Sequence, residues 1–522
     1  MIRQYSLHDA AVSPASVRRL AWGERPHGIM VVENTSKNFW LLLFPLLRGL
    51  IAWQLDLYSW VRGAWFDLTI VTVLLTSAVL RWYYYSYMPG DKGIYYRKGV
   101  FLRQTGLLPF ANLSSVSFEQ SLVYRMLDAV RIRAETDAGG HRRADFKATL
   151  TRAQADALRA ALAQSTMGLP RKGDVAPSRP SHAASDYRPA WGYVLLFSVL
   201  TSKSLSGVLF ASTFISVAGA IVGRSLRDEL ISSISALAEE IAFGLPPLAI
   251  AVSIVIAGGW LFSFLRNVLR YLRFSLSRGG QGRLSIATGM FTPRIYELSV
   301  PRINFLDLRQ TLLTKLLSVS SAYIHCSGYG KGKDEIAVLI PAASKRSILH
   351  TARRLLPDLL PVSRPSAKAH SHVSWVRSPG RTFPRYVTLT LLLMAAIPLA
   401  ARIPLTLFPE WWAIIRFTAG MAEIPAVWLL LVKIVSYFTS GFGFDGQTLA
   451  LRYSSGYAFH TVAVPMGKVA ELRIRQSAFQ QRAGYCDVVV YTSAETPVRH
   501  KVPNLRLSDL QALKITPHFP IV

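Results

Sequence analysis

The chain alternates between two textures. Long apolar stretches come in closely spaced pairs, and each pair is followed by a block in which apolar and polar residues trade places over short distances. The first pair is "FWLLLFPLLRGLIAWQL" from Phe39, which holds Pro45 and is interrupted by Arg48, and "LTIVTVLLTSAVL" from Leu68, which runs into "RWYYYSY". The second is "WGYVLLFSVL" with "SGVLFASTFISVAGAIVG", then "FGLPPLAIAVSIVIAGGWLFSFL"; the third is "YVTLTLLLMAAIPLA" and "WWAIIRFTAGMAEIPAVWLLLVKIVSYF". A helix crosses the hydrocarbon core of a bilayer with about 20 predominantly apolar residues. The pattern therefore predicts six spans in three pairs, with Trp and Tyr at their ends as interfacial anchors.

The blocks between these pairs repeat. "PFANLSSVSFEQ" at 109–120 returns as "PRINFLDLRQ" at 301–310 and "PMGKVAELRIRQ" at 465–476. Anchored on Gln120, Gln310 and Gln476, the residue four before is Val116, Leu306 or Leu472, and the residue seven before is Leu113, Ile303 or Val469. Pro109 and Pro465 stand eleven residues before their glutamines and Pro301 only nine, which predicts a loop two residues shorter in the second block. Upstream, "GIYYRKGVFLRQTGLLPF", "RLSIATGMFTPRIYELSVP" and "TLALRYSSGYAFHTVAVP" are rich in β-formers and turn around Gly, as hairpins do. Downstream lies a short apolar segment, Leu122 to Leu127 and Leu312 to Leu317, with a weaker third copy in "SAFQQRAGY". Further strands follow in "AVRIRAET", "SAYIHCSG" and "YCDVVVYT", and each block closes on a helical pattern: "TRAQADALRAAL", "SKRSILHTARRLL" and "RLSDLQALKI".

Paired spans followed by a strand-rich block with this proline-to-glutamine pattern and a closing helix resemble the bacterial pleckstrin-homology-like (PH-like) membrane proteins of the YdbS and YdbT type. The opening "WGERPHGIMVVENTSKNFWLLLFPLL" is similar to that of the larger, multi-domain members. The resemblance covers nearly the whole chain and implies an α+β membrane protein. Three PH-like domains, each two packed antiparallel sheets with a C-terminal helix, would alternate with three transmembrane helix pairs. On that reading the chain divides into an arm (1–38), a transmembrane hairpin (39–87), a PH-like domain (88–165) and a linker (166–188). A second hairpin with an outer amphipathic loop (189–270), a second PH-like domain (271–360) and a linker (361–384) follow, then a third hairpin (385–438) and PH-like domain (439–522). The two linkers, rich in Pro, Ser, Ala and Arg, read as tethers.

Composition agrees with a membrane: 51% of the 522 residues are hydrophobic and 17% charged, against roughly 25% charged in ordinary soluble domains. The first 38 residues hold Arg3, Arg18, Arg19 and Arg25 but no compact apolar region ending in a cleavage site, so the first span is expected to be retained. The net charge of +29 concentrates in the arm and the three polar blocks, whereas "RSLRDELISSISALAEE" inside the second pair carries Asp228, Glu229, Glu239 and Glu240 against two arginines. Basic segments stay in the cytoplasm. The expectation is a multi-pass protein of the bacterial cytoplasmic membrane with both termini and all three blocks inside, attracted to the anionic lipids of the inner leaflet and not to nucleic acid. Cys326 and Cys486 fall in different blocks, so neither a disulfide framework nor a zinc site is expected.

Candidate chemistry is sparse. "GYGKGKDE" at 328–335 lacks the spacing of a phosphate loop and runs into the strand-like "IAVLI", which predicts a hairpin turn. His370 and His372 lack further ligands, and the adjacent Glu239 and Glu240 do not share a helix face. Leu226, Leu230, Ile234, Leu237 and Ile241 instead predict an amphipathic helix on the outer surface. No nucleophile, base or metal setting is recognisable, so the sequence predicts a protein that is not an enzyme, with no cofactor and no metal. Arg97, Lys98 and Arg103 on the first hairpin are candidate headgroup contacts, since the resemblance implies that PH domains use cations there and the inner leaflet is anionic. Arg48, Arg416 and Glu423 are ionisable residues inside spans, with the last two seven apart on one helical face.

The resemblance implies assembly. The domains would serve as platforms for a homo-oligomer or for a complex with a smaller PH-like membrane protein, in envelope maintenance or in stress and antimicrobial resistance. The alternative is transport or lipid handling along a polar path past Arg48, Arg416 and Glu423.

Overall fold

The computed structural model describes residues 23–36, 65–90, 92–136, 145–165, 187–201, 232, 247–279, 282–330, 337–356, 374–493 and 498–513. These residues fall into two compact units, one drawn from Met1–Ala183, Gly279–Arg283 and Thr292–Ser299, the other from Ala184–Arg278, Leu284–Phe291 and Val300–Val522.

In the first unit, helix α1 (Ile29–Ser36) belongs to the arm and α2 (Trp65–Tyr83) leads into the first block. Strands β1 (Ser86–Gly90), β2 (Gly93–Lys98) and β3 (Gln104–Pro109) form an antiparallel sheet. Its second turn needs glycine: Gly99 has φ +111°, and a Cβ there would sit 1.9 Å from the Leu102 carbonyl oxygen. A second sheet holds β4 (Leu113–Glu119), β5 (Ala129–Thr136) and β6 (Phe146–Thr151), with α3 (Leu122–Met126) between β4 and β5 and α4 (Arg152–Ser165) closing the block. Alternating residues of both sheets, Tyr87, Ile94, Val116, Ile132, Phe146 and Leu150, pack against Leu158 and Leu162 of α4 in one core. The outer neighbour of β4 is a strand of the second block, β9 (Arg294–Ser299).

In the second unit, α5 (Trp191–Thr201) and α6 (Pro247–Tyr271) precede β7 (Ser275–Gly279) and β8 (Arg283–Thr288). After β9 the second block continues as β10 (Phe305–Thr311), α7 (Leu312–Leu316), β11 (Val319–His325), β12 (Val338–Ser344) and α8 (Lys345–Leu355). The third block runs β13 (Ser374–Arg377), helices α9 (Phe383–Leu407) and α10 (Trp412–Thr439), then β14 (Gly441–Phe444), β15 (Thr448–Ser455) and β16 (Ala458–Pro465). It ends with β17 (Val469–Arg475), α11 (Ala478–Arg482), β18 (Tyr485–Thr492), β19 (Arg499–Arg506) and α12 (Leu507–Ala512). One seven-stranded sheet runs β12-β11-β10-β16-β15-β14-β13 and a three-stranded sheet runs β17-β18-β19. PH-like sheets with closing helices are thus present, in a mixed α+β fold.

Four expectations need adjustment. Among the described residues two helices are long and apolar enough to cross a membrane, Gly380–Leu407 and Thr418–Thr439, and only 17% and 11% of their apolar windows are buried. Thr69–Tyr83 and Trp191–Thr201 are shorter apolar helices. The six-span pattern is therefore met by two full-length helices, while the first span and, apart from Ser232, the amphipathic loop at 226–241 lie outside the described residues. Second, the end of the linker at 361–384 is not a tether. Ser374–Arg377 pairs with β14, and the chain enters α9 through a tight turn at Gly380–Thr382. Third, Pro301 is not the counterpart of Pro109 and Pro465. Those two end strands β3 and β16 with extended backbone, whereas Pro301 lies inside the 3-10 turn Val300–Arg302, so Ser299 ends the equivalent strand. Fourth, the weak third copy "SAFQQRAGY" forms the same helix as its relatives: the apolar residues it lacks are mostly exposed in the other two copies, and a reciprocal cap between Ser477 and Gln480 closes its first turn.

Candidate interaction site at the block junctions

The three glutamines do the same thing in each block. Gln120 Nε2 donates to the Ala129 carbonyl at 3.4 Å, Gln310 Nε2 to Val319 at 2.9 Å and Gln476 Nε2 to Tyr485 at 2.7 Å. The next residue, Ser121, Thr311 or Ser477, caps the short helix through its hydroxyl. That helix ends on a residue with positive φ, Asp128, Ser318 or Gly484, whose carbonyl accepts from the first residue of the closing helix, Arg152, Lys345 or Leu507. The glutamine therefore fixes the crossing between two strands and presents the strand before it, β4, β10 or β17, in a set orientation.

Two of those strands are joined to a strand of the next block. Inside the first unit β4 pairs antiparallel with β9, setting Val116 opposite Glu297 and Glu119 opposite Arg294. Inside the second unit β10 pairs with β16, setting Leu306 opposite Ala463 and Arg309 opposite His460. Counted from the glutamine on one strand and from the end of the other, Ser299 or Pro465, the two registers are identical. The cores are shared as well: Ile295 packs against the core of the first block and Phe305 belongs to that of the third.

Each junction carries an acid. Glu119 accepts from Arg294 at 2.8 Å and lies 3.8 Å from Arg133. Asp307, whose side chain is 2% exposed, meets Arg309 Nε at 2.6 Å and His460 Nδ1 at 2.9 Å through Oδ2. Burial alone would raise the Asp307 pKa, but the hydrogen bond and charge of His460, with Arg309, hold the carboxyl below its ordinary value. Around it Tyr453 stacks on His460 and bonds His500 Nδ1 at 2.9 Å, Phe305 packs between His325 and His500, and Arg309 covers the Tyr323 ring. Burial pushes the His500 imidazole down to about 4, so it is neutral at pH 7. Asp307 Oδ1 and His500 Nε2 have no hydrogen-bond partner among the described residues. A network of this kind fixes register more than it adds stability.

A comparable lock holds the arm to the first block. Glu33 accepts from Tyr124 at 2.8 Å and Thr149 at 2.5 Å, with Arg131 at 3.2 Å and Lys147 at 3.7 Å; Arg131 also touches the Tyr124 hydroxyl. Burial works to raise the Glu33 carboxyl, but Thr149, Arg131, Tyr124 and Lys147 outweigh it and lower the pKa. Nothing in "MVVENTS" singles this carboxylate out; its partners lie about a hundred residues away in sequence.

The headgroup candidates are not brought into one cluster. Arg97 and Lys98 are neighbours on β2 and so face opposite sides of the sheet. Lys98 lies over the Tyr96 ring and Arg103 over Tyr84. Between them the tip exposes Phe101 and Leu102, and Lys98, Phe101 and Gln104 border an apolar cavity of about 790 Å³ with Met30 and Leu80. Arg416 lies over the Trp412 ring, and among the described residues no ion pair joins it to Glu423. Arg48, Lys331, Lys333, His370, His372, Glu239 and Glu240 lie outside the described residues. Cys326 and Cys486 are buried without a disulfide, and no metal-ligand cluster occurs among the described residues.

No curated protein and no solved structure matches the chain. The family model of the bacterial PH domain matches it twice. The first match covers the block whose β4 begins one junction, and the second covers the block whose β16 completes the other. The matches lie over residues 41–166 and 387–516, and the block between them in sequence repeats their glutamine, cap and junction strands.

Proposed function

We propose that this protein is a non-enzymatic interaction platform of the bacterial cytoplasmic membrane, with membrane-spanning helices carrying PH-like blocks on the cytoplasmic side in the manner of a multi-domain YdbT-like protein. The observation that carries this reading is the pair of junctions. In both, a PH-like block offers a strand edge, and another block completes it by backbone pairing, an ion pair and shared core side chains. Bacterial PH domains are interaction modules, and here the interaction they make is with one another. The exposed apolar flanks of α9 and α10, including Leu389, Leu392, Ile403 and Ile424, supply the anchor in lipid. The polar-path alternative draws no support from Arg416, which is exposed and lies over the Trp412 ring.

The platform reading is tested by crosslinking the full chain in native membranes and mapping the linked peptides. Links from the blocks to another polypeptide, concentrated on strand edges, are expected. Links confined to the chain itself and to lipid would overturn it.

A further inference from the structure

The two junctions use up only part of what the repeat provides. Each block has a donor strand that follows the hairpin, β3, β9 or β16, and an acceptor strand that ends at the glutamine, β4, β10 or β17. The chain joins β4 to β9 and β10 to β16. That leaves β3 at the edge of one sheet and β17 at the edge of another, each with a strand on one side only among the described residues.

Burial follows the pairing. The residue four before the glutamine is 1% exposed in both closed copies, Val116 and Leu306, whereas Leu472 on β17 packs against the core of its block yet stays partly exposed. Gln104 and Thr105 at the start of β3 are exposed, while their counterparts Arg294 and Ile295 on β9 are half-buried. An edge of this kind is a template for a further strand unless it is blocked. The open edge carries charge, but Arg473 is paired with Glu471 on its own strand, and Arg475 stands where the closed β10 carries Arg309.

We infer that β17 of one molecule pairs antiparallel with β3 of a second copy of this chain, repeating between molecules the junction made twice within each. The proposal rests on the platform reading above and gives it a partner and a register. Carried over from the closed junctions, that register sets Arg475 opposite Gln104, Ile474 opposite Thr105, Leu472 opposite Leu107 and Glu471 opposite Leu108. The apolar pair Leu472 and Leu107, partly exposed in the single chain, would then be covered. Because the two edges differ, the contact is head-to-tail, and it propagates until a ring closes.

The test uses the full chain in membranes. Leu472→Cys and Leu107→Cys are placed on separate, differently tagged molecules, co-expressed and oxidised. Residues facing one another across an antiparallel pair lie within disulfide reach. A mixed dimer is expected in at least tenfold excess over the pair Ala470→Cys with Leu107→Cys, which is out of register. The doubly substituted chain should give a ladder of dimers and higher species. Mass photometry of the unsubstituted chain serves as a second measurement that needs no variant, and should show concentration-dependent oligomers. A monomer at all concentrations with no register-specific crosslink overturns the inference. If the same edges instead crosslink to a different polypeptide, self-pairing is wrong while the platform reading stands; if neither edge reaches any polypeptide, both fall.

Discussion

Strands β10 and β17 are the same strand in two settings. Both end at a glutamine that reaches nine residues ahead to a carbonyl, and both are followed by a capped helix. β10 has neighbours on both sides and buries four consecutive residues, whereas β17 has one neighbour and buries none. The repeat therefore specifies the strand and its crossing, and the presence of a neighbour specifies what its side chains contribute. The largest test of that contrast is Leu306→Asp against Leu472→Asp. At Leu306 the new carboxylate would be buried without a partner and should cost roughly 3–5 kcal/mol, which thermal denaturation would register as loss of the second unit. At Leu472, which packs against the third block's core from an open edge, the carboxylate can still reach water and should cost less, about 1–2 kcal/mol. Equal costs at the two sites would mean that β17 is already covered in the single chain.

The closed junction should also respond to acid where the open edge does not. His500 is held neutral, its pKa lowered to about 4 from the ordinary 6.5. The unfolded chain then binds more protons than the folded one between those values, so stability rises with pH there. The contribution is complete above pH 6.5 and is lost as pH falls toward 4, on the order of 3 kcal/mol in all. Asp307, lowered from 3.8, adds a loss only below that pH. Melting curves of the wild type against His500→Gln should converge as pH drops from 7 to 4; a constant gap would place the acid response elsewhere. The arm offers a smaller effect of the same sign. Glu33→Gln removes charge from bonds to Thr149, Tyr124 and Arg131 and should cost about 2 kcal/mol at pH 7. As with any carboxyl lowered on folding, the difference should vanish once pH falls below the Glu33 pKa. Hydrogen exchange at Ile29–Ser36 would report it.

Much of each block was legible because its signals are local. The glutamine, the Ser or Thr after it and the apolar spacing before it all act within about ten residues of sequence, so three copies could be aligned by eye. Pro301 misled because a proline suits the end of a strand and the inside of a 3-10 turn equally, and the count to the glutamine could not separate them. The junctions were not legible. Alternation along a strand shows which face is buried and says nothing of which strand lies beside it. The signal that bears on it is the isolated Asp307 among apolar residues, an acid that a buried strand tolerates only with a partner; His460 lies 153 residues away in sequence. Glu33 was illegible for the same reason.

The smallest effect separates the two settings most finely. Each glutamine-to-alanine change deletes one side-chain hydrogen bond to a buried crossing and should cost about 1 kcal/mol, less at Gln120 where the bond is longest. The sites should differ in where that loss appears. Gln310 closes a crossing clamped between β10 and β11, with β16 on the far side, so the segment cannot open without breaking the sheet. Its loss should lower the melting temperature of the unit and leave local exchange unchanged. Gln476 has the shortest bond of the three, yet β17 can detach from β18 without disturbing any other strand. Gln476→Ala should therefore speed hydrogen exchange across Val469–Arg475 and Ala478–Arg482 while barely moving the melting temperature. If a second molecule occupies the β17 edge, that local exchange should slow again as protein concentration rises, and the Gln476 site should come to behave like Gln310.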